Sequence, residues 1–508
     1  MPLLRTAFTF VFALLMSVQV HAQSASFPIL EFVVEGNTVL DEATIHEALY
    51  PHMGESRTLQ DVNAARTSLE QAYQKRGYQT VGVDIPPQEV RDGIVRLSVV
   101  EGRVDRLSVR GAQYTAPSVL REKTAEFAPG TVPNLADASQ QLASVNTATT
   151  EVTPGLKPGR TPGTVDVELN VKDRLPVVFT AELNNYRTAN TEALRTNFGV
   201  RYTNLWQAGH QIGLNYLTAP QRTSQVQVWS ANYLWPLAFL PGSLVFYAVD
   251  SDSATPSAIG GTTVLGAQRI YGARLIRLLR PAFDTRHWLT FGVDYKGLEQ
   301  QDFRTLNYYP FTLGYTAQRT VQRRITSLDL STVFSIREFG NEPNAFADRR
   351  FQGDSSFVAI KWDAQHEEPI GSWSLRGRFA GQTTAQPLVQ SEQYAIGGSS
   401  SVRGYLEVEQ FGDRAFIGSL EARSPVWKTG PDQWTVQAIG FLDAGGVYVV
   451  QPLPGQRAST HLGGVGVGAR FRLGKQVNAA VDFASALRTT SLTKSGDLRL
   501  HGRINFEY

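Results

Sequence analysis

From Val177 to Tyr508 apolar and polar residues alternate in stretch after stretch of about ten positions, the period of an extended strand with two unlike faces. Leu194, Thr196, Phe198, Val200 and Tyr202 oppose Arg195, Asn197, Gly199 and Arg201, and Leu289, Phe291, Val293 and Tyr295 oppose Thr290, Gly292, Asp294 and Lys296. Val465, Val467, Ala469, Phe471 and Leu473 oppose Gly466, Gly468, Arg470 and Arg472. At the end of the chain Leu498, Leu500, Gly502, Ile504, Phe506 and Tyr508 face one way, and Arg499, His501, Arg503, Asn505 and Glu507 the other. A transmembrane β-barrel requires this dyad, lipid outside and a polar lumen inside, over strands of about 9–11 residues. A soluble sandwich alternates too. Strand length, the extent of the run, aromatics near strand ends (Tyr202, Trp206, Trp229, Tyr233, Trp288, Trp434) and an aromatic C-terminus weigh against it. At about 21 residues per strand with its connection, the region divides into roughly 16 antiparallel strands.

Upstream, periods of two and 3.6 are mixed. Leu30, Phe32 and Val34 alternate with Glu31, Val33 and Glu35, and Gly36-Asn37 turns the chain. Asp41 caps a short helix carrying Ile45, Ala48 and Leu49. Val62, Ala65, Leu69, Ala72 and Tyr73 line one face of a second helix, which stops at Gly77. Val81, Val83 and Ile85 alternate, Pro86-Pro87 breaks the run, and Ile94 to Val100 forms a last strand. The order recurs downstream: a strand from Arg103 to Arg110, a helix marked by Val119, Leu120 and Phe127, another by Leu135, Ala138, Leu142 and Val145, a turn over residues 157–163, and a strand on Val165, Val167, Leu169 and Val171. Two units of about 70 residues with one element order make an internal repeat. The expected organisation is an α+β module at 29–102, a second at 103–174, and a barrel at 175–508.

The first residues differ. Arg5 precedes an apolar run at 7–18, and Val20-His21-Ala22 fits a small-x-small cleavage site. At about 1.5 Å per residue the run spans roughly 18 Å, short of the ~30 Å hydrocarbon core. Residues 1–22 therefore read as a cleaved signal peptide rather than a retained anchor. The net charge of +2, from 48 Lys+Arg against 46 Asp+Glu, gives no nucleic-acid footprint. Absence of cysteine excludes disulfides and thiolate metal sites. The 8 histidines lack His-Glu-x-x-His spacing, and neither a Gly-x-Ser-x-Gly elbow nor a phosphate-cradling Gly-x-x-x-x-Gly-Lys is present. No catalytic residue, metal or cofactor is expected. The glycine-rich run at 463–468 lacks dinucleotide spacing and reads as small residues on a lipid-facing strand.

Three motifs remain. Tyr73-Gln74-Lys75-Arg76-Gly77-Tyr78 is followed by Ile85-Pro86-Pro87-Gln88 and by Val99-Val100-Glu101-Gly102-Arg103-Val104. Val402-Arg403-Gly404-Tyr405 lies in a glycine- and serine-rich stretch, with Phe441-Leu442-Asp443-Ala444-Gly445 about 40 residues on. Counted by twos, Phe441, Asp443 and Gly445 share the lumen face with Gln437. A guanidinium can meet a carboxylate bidentately, and glycines beside both charges let backbone approach backbone.

The first set resembles the leading POTRA domain of two-partner-secretion (TpsB) transporters, and residues 156–163 resemble the turn of that family's second POTRA. Arg403 with the Phe441-x-Asp443-x-Gly445 strand resembles the signature pair of the POTRA-barrel superfamily. There a long loop folds back into the lumen and its arginine tip meets the acidic strand motif. The resemblance implies two periplasmic POTRA domains and a 16-stranded outer-membrane barrel in a Gram-negative cell. It implies export of a TpsA-type exoprotein, with Arg76, Gly77, Tyr78, Pro87 and Gln88 in the partner-binding POTRA motif. Phe506 and Tyr508 would form the C-terminal signal read by the barrel-assembly machinery, and outer-membrane lipid would surround a monomer. An assembly factor of the same superfamily and a diffusion porin are the alternatives. Only about six residues separate Ala22 from Ile29, too few for the plug helix of many TpsB proteins. The resting pore would then be closed by the loop alone, or be partly open.

Overall fold

A computed structural model describes residues 26–508, apart from 148, 238–239, 253–257, 260–261, 264–266, 280–283, 300–303, 338, 340–342 and 431–433. The signal peptide read at 1–22 lies outside the described residues. The chain forms two compact units, one ending at Lys172 and the other made of Asp173–Tyr508 together with the short segment Thr147–Thr149.

In the first unit, Glu31–Glu35 pairs in parallel with Ile94–Glu101, which pairs antiparallel with Val81–Asp84. Helices Glu42–Leu49 and Leu59–Lys75 cover one face, burying Leu49, Ala65, Leu69 and Tyr73 against Val83, Leu97 and Val99. Asp41 accepts from the Thr44 N–H at 2.7 Å and Asp61 from the Thr58 N–H at 2.8 Å. These backbone donors hold both carboxyls below the ordinary aspartate value. The caps therefore persist as pH falls past that value and are lost only below it.

The second module repeats the order, with Arg103–Arg110 parallel to Thr164–Asp173 and helices Pro117–Lys123 and Leu135–Val145 between them. Its third strand, Thr150–Pro158, has no clear alternation, and the turn read at 157–163 shortens to 159–163 because Lys157 and Pro158 end this strand. Pro154 and Pro158 fit there because the strand is a sheet edge, where a missing N–H leaves no ladder bond unmade.

The two modules are joined through the Arg76-Gly77 turn. Asn134 Nδ2 donates to Arg76 O at 2.9 Å, and the Leu135 N–H donates to Gly77 O at 2.9 Å. Val132, from the second module, packs in the first module's core. Gly77 has φ +97°, and an added Cβ would collide with Asn134 Oδ1. Gly77→Ala is expected to destabilise this unit by about 1–3 kcal/mol, read as a lower urea midpoint.

The second unit is a closed antiparallel barrel of sixteen strands, beginning with Val177–Asn184 and ending with Leu498–Glu507. The last strand pairs with the first from Arg503–Asn184 to Glu507–Thr180. Tyr508 extends the seam: its N–H donates to Phe179 O at 2.9 Å. Phe506 faces outward opposite Ala181. At the other end Asn185 acts as a short strand in itself, its Nδ2 donating to Leu500 O and its Oδ1 accepting from the Gly502 N–H, both at 2.8 Å. Phe198, Leu442, Val467, Phe483 and Leu500 are exposed on the outer wall, while Asp443, Asp482 and His501 are buried on the inner one. Trp235, Trp373 and Trp434 lie exposed at strand ends on the rim nearest the termini, where aromatic girdles meet the membrane interface.

Candidate functional site

Residues 385–413 leave the strand Trp373–Thr384 and return to Arg414–Arg423 after folding down inside the barrel. The tip is a tight turn: Gly397, Gly398 and Gly404 all have φ near +100°, and the Gly398 N–H donates to Val402 O at 3.0 Å. Glu407 accepts from the Ser399 N–H at 2.7 Å, closing the turn from within.

This geometry aims Arg403 at the wall. Its Nε donates to Asp443 Oδ2 at 2.7 Å and its Nη2 to Oδ1 at 2.8 Å, the bidentate fork of guanidinium on carboxylate. Its backbone N–H reaches the same carboxylate at 3.1 Å. Nη1 donates to Glu421 at 2.8 Å, and Asp482 lies 3.8 Å away. Ser419 donates to Asp443 Oδ1 at 2.6 Å and accepts from Arg403 Nη2 at 3.2 Å. Phe441 places its ring 3.5 Å beneath the guanidinium carbon. The Arg403 side chain is 5 % exposed and that of Asp443 0 %.

The neighbours complete the seat. The Gly404 N–H donates to His501 Nε2 at 3.1 Å, which requires the ring proton on Nδ1. The Tyr405 hydroxyl lies 3.0 Å from Gly463 O and 2.9 Å from Arg488 O. Val402 and Tyr405 are fully buried against Ile417, Val447, Leu462 and Ala486. An added Cβ at Gly445 would meet Val402 Cγ2 at 3.0 Å, and one at Gly464 would collide with the Arg403 carbonyl oxygen.

Here the glycine-rich run takes a different role from the one read in sequence. Val465 and Val467 face lipid, but Gly464, Gly466 and Gly468 face the lumen. Gly464 admits the loop backbone and Gly466 the Phe441 ring, since a Cβ there would stand 2.5 Å from Phe441 Cζ.

Cross-strand register decides the rest of the site. Ser419 lies opposite Asp443, Asp443 opposite Gly464, and Asp482 opposite both Gly468 and His501. Sequence reading missed Ser419, Glu421, Asp482 and His501. The usable signal was parity, because each falls on the polar face of its own strand.

The POTRA motif residues are not gathered into one patch. Arg76 is exposed, its Nη2 on Thr44 Oγ1 at 2.8 Å, and Gly77 sits at the junction between modules. Tyr78 packs half-buried on the first core. Pro87 is exposed, whereas Gln88 continues the sheet edge beyond Asp84. Its Oε1 accepts from the Arg96 N–H at 2.7 Å and its Nε2 donates to Arg96 O at 2.8 Å. Among the described residues no group of His, Asp and Glu has metal-binding geometry.

A closed barrel behind two POTRA modules, with an arginine-tipped loop locked to its inner wall, defines an outer-membrane POTRA-barrel transporter. Residues 163–471 match the family described as haemolysin secretion/activation protein ShlB/FhaC/HecB, and residues 27–102 match the ShlB-type POTRA domain. The chain belongs to this family. It is 23% identical over 477 residues to the outer membrane transporter CdiB of Dickeya dadantii, covering 90% of this chain and 82% of the relative. It is 21% identical over 407 residues to the heme/hemopexin transporter protein HuxB of Haemophilus influenzae, covering 76% and 70%. Its fold is similar to that of CdiB from Escherichia coli, with a TM-score of 0.77, 19% identity, and 96% and 92% of the two chains covered. The protein is an outer-membrane transporter of two-partner secretion, working with a secreted TpsA-type exoprotein, with its POTRA domains in the periplasm.

Proposed function

We propose that the POTRA pair captures the unfolded secretion domain of one TpsA-type exoprotein and that the barrel passes the chain outward in extended form. The observation that carries this reading is the Arg403 fork on Asp443 at the tip of a loop lying within the lumen. That loop stands in the path of any transported chain, and its anchor sets how readily the path changes shape. The domains divide at 29–102, 103–174 and 175–508, after a signal peptide at 1–22. No catalysis, cofactor, metal or nucleic acid is involved, and folding of the exported chain outside the cell supplies the drive. The barrel functions as a monomer in outer-membrane lipid, with Phe506 and Tyr508 read by the assembly machinery during insertion.

Capture by a POTRA module has a physical route in strand addition at a sheet edge. Gln88 supports this, because its side chain pins the segment after Asp84 to Arg96 and so holds the edge strand Val81–Asp84 in place for an incoming strand. Tyr78→Ala or Gln88→Ala is expected to leave the barrel inserted and weaken secretion-domain binding by about tenfold, the scale of one or two hydrogen bonds. Titration of the purified variants with the secretion domain tests it, and wild-type affinity for both would defeat the assignment.

A further inference from the structure

The loop has a second anchor at its root, about ten residues further along the chain than Arg403. Asp413 stands directly before the strand Arg414–Arg423 and is fully buried. Its Oδ2 accepts from Arg350 Nη2 at 2.9 Å and from the Val450 N–H at 2.7 Å. Its Oδ1 accepts from the Leu388 N–H and from Gln393 Nε2, both at 2.9 Å. The same Arg350 nitrogen reaches Val450 O at 2.8 Å. One carboxylate thus collects donors from three connections on the rim opposite the termini: 336–356, the first limb of the inward loop, and the segment after Tyr448.

The connection held by Arg350 carries the helix Pro343–Arg349. Ala345 and Phe346 of this helix are buried in one apolar cluster with Leu298, Tyr308, Val333, Phe357, Leu388 and Val389. Leu298, Tyr308, Val333 and Phe357 are inward positions of successive barrel strands, so the helix dips into the lumen rather than standing above it. Phe346 packs edge-on to Tyr308, ring centres 5.2 Å apart. Tyr308 donates to Glu392 at 2.6 Å, and Lys296 Nζ meets the same oxygen at 2.6 Å, which fastens the first limb of the loop to the same wall.

A buried ion pair is seldom the most stable filling for such a place, since apolar side chains of like volume often do as well or better. It does provide a joint that holds only while both partners stay in register. Among the described residues Arg350 Nε is buried without a hydrogen-bond partner and Arg350 makes fewer bonds than Arg403, so the joint is easier to part than the Arg403 fork.

We propose that Asp413 is a positioning residue for transport: it latches the helix Pro343–Arg349 into the outer mouth of the lumen and ties it to the root of the inward loop. The mouth opens when this joint parts, separately from the anchor at Arg403. The inference rests on the transporter reading, because a latch matters only if a chain has to pass.

The sequence contains no cysteine, so Ala345→Cys is a silent reporter at a fully buried position. Cells carrying it are treated with a membrane-impermeant maleimide, with barrel quantity checked by heat-modifiable mobility. Labelling is expected to be slow in the parent and faster by about tenfold or more in Asp413→Asn or Arg350→Gln, as loss of one partner of a buried pair implies. Arg350→Gln lies in an external connection and serves if Asp413→Asn does not fold. Arg403→Ala should leave the reporter protected, and co-expression of the exoprotein should expose it in the parent. Rapid labelling of the parent, protection in both latch variants, or equal exposure in Arg403→Ala would overturn the proposal. Secretion of the exoprotein by the parent, measured in the same cells, reports on the transporter reading independently.

Discussion

Arg403→Ala is expected to lower secretion of the exoprotein by about tenfold or more while leaving a near-normal quantity of folded barrel, because loss of one partner of a buried pair typically costs about 3–5 kcal/mol. The effect should be unequal between the partners. Without Arg403, the buried Asp443 loses its ion-pair partner, whereas Glu421 keeps Arg423 at 2.7 Å and Asp482 keeps Arg470 at 2.6 Å. Without Asp443, Arg403 keeps Glu421 at 2.8 Å and Asp482 at 3.8 Å. Asp443→Ala should therefore be the milder change, and the double variant should fall short of the sum of the two. Secreted exoprotein measured in all four backgrounds checks the ranking and the coupling together. Strictly additive defects would mean that the loop is held by something other than this fork.

Gly464→Ala should reproduce much of that defect without touching a charge. The new Cβ would collide with the Arg403 carbonyl oxygen, and backbone cannot step aside as the end of a flexible side chain can. Overpacking of this kind costs about 1–3 kcal/mol, enough to shift the docked loop by tenfold or more. Gly418→Ala and Gly440→Ala are the matched controls, on strands beside the site but with open space where a Cβ would go. Secretion is expected to fall in the first variant only. Adding Gly464→Ala to Arg403→Ala should bring little further loss, since the loop is already released. A wild-type level of secretion from Gly464→Ala would show that the loop backbone need not lie so close.

Much of the architecture follows from local chemistry that a linear sequence carries. Alternation over about ten residues sets both faces of a barrel strand at once, because successive side chains must point to opposite sides. Asp443, His501 and Arg470 could thus be assigned to the lumen face before any register was known. Helix caps and stops were legible for the same reason. Asp41 and Gly77 act on backbone groups a few residues away, and their geometry depends on little else. Thr150–Pro158 escaped notice because an edge strand with two prolines obeys no alternation.

Which inward residues meet is set by the closed barrel and not by any one segment. Sequence marks Arg403 and Asp443 through the resemblance of their motifs, but it is silent on Glu421, Asp482 and His501, each supplied by a different strand. It is equally silent on Arg350, Leu388 and Val450 converging on Asp413. Parity along a strand is a property of one chain segment. Register between strands, and the path of a loop across a lumen, depend on how sixteen segments close on one another. The same limit explains the glycines at 464, 466 and 468: in sequence they are merely small, and only the backbone and ring that fill the space beside Gly464 and Gly466 show why nothing larger fits there.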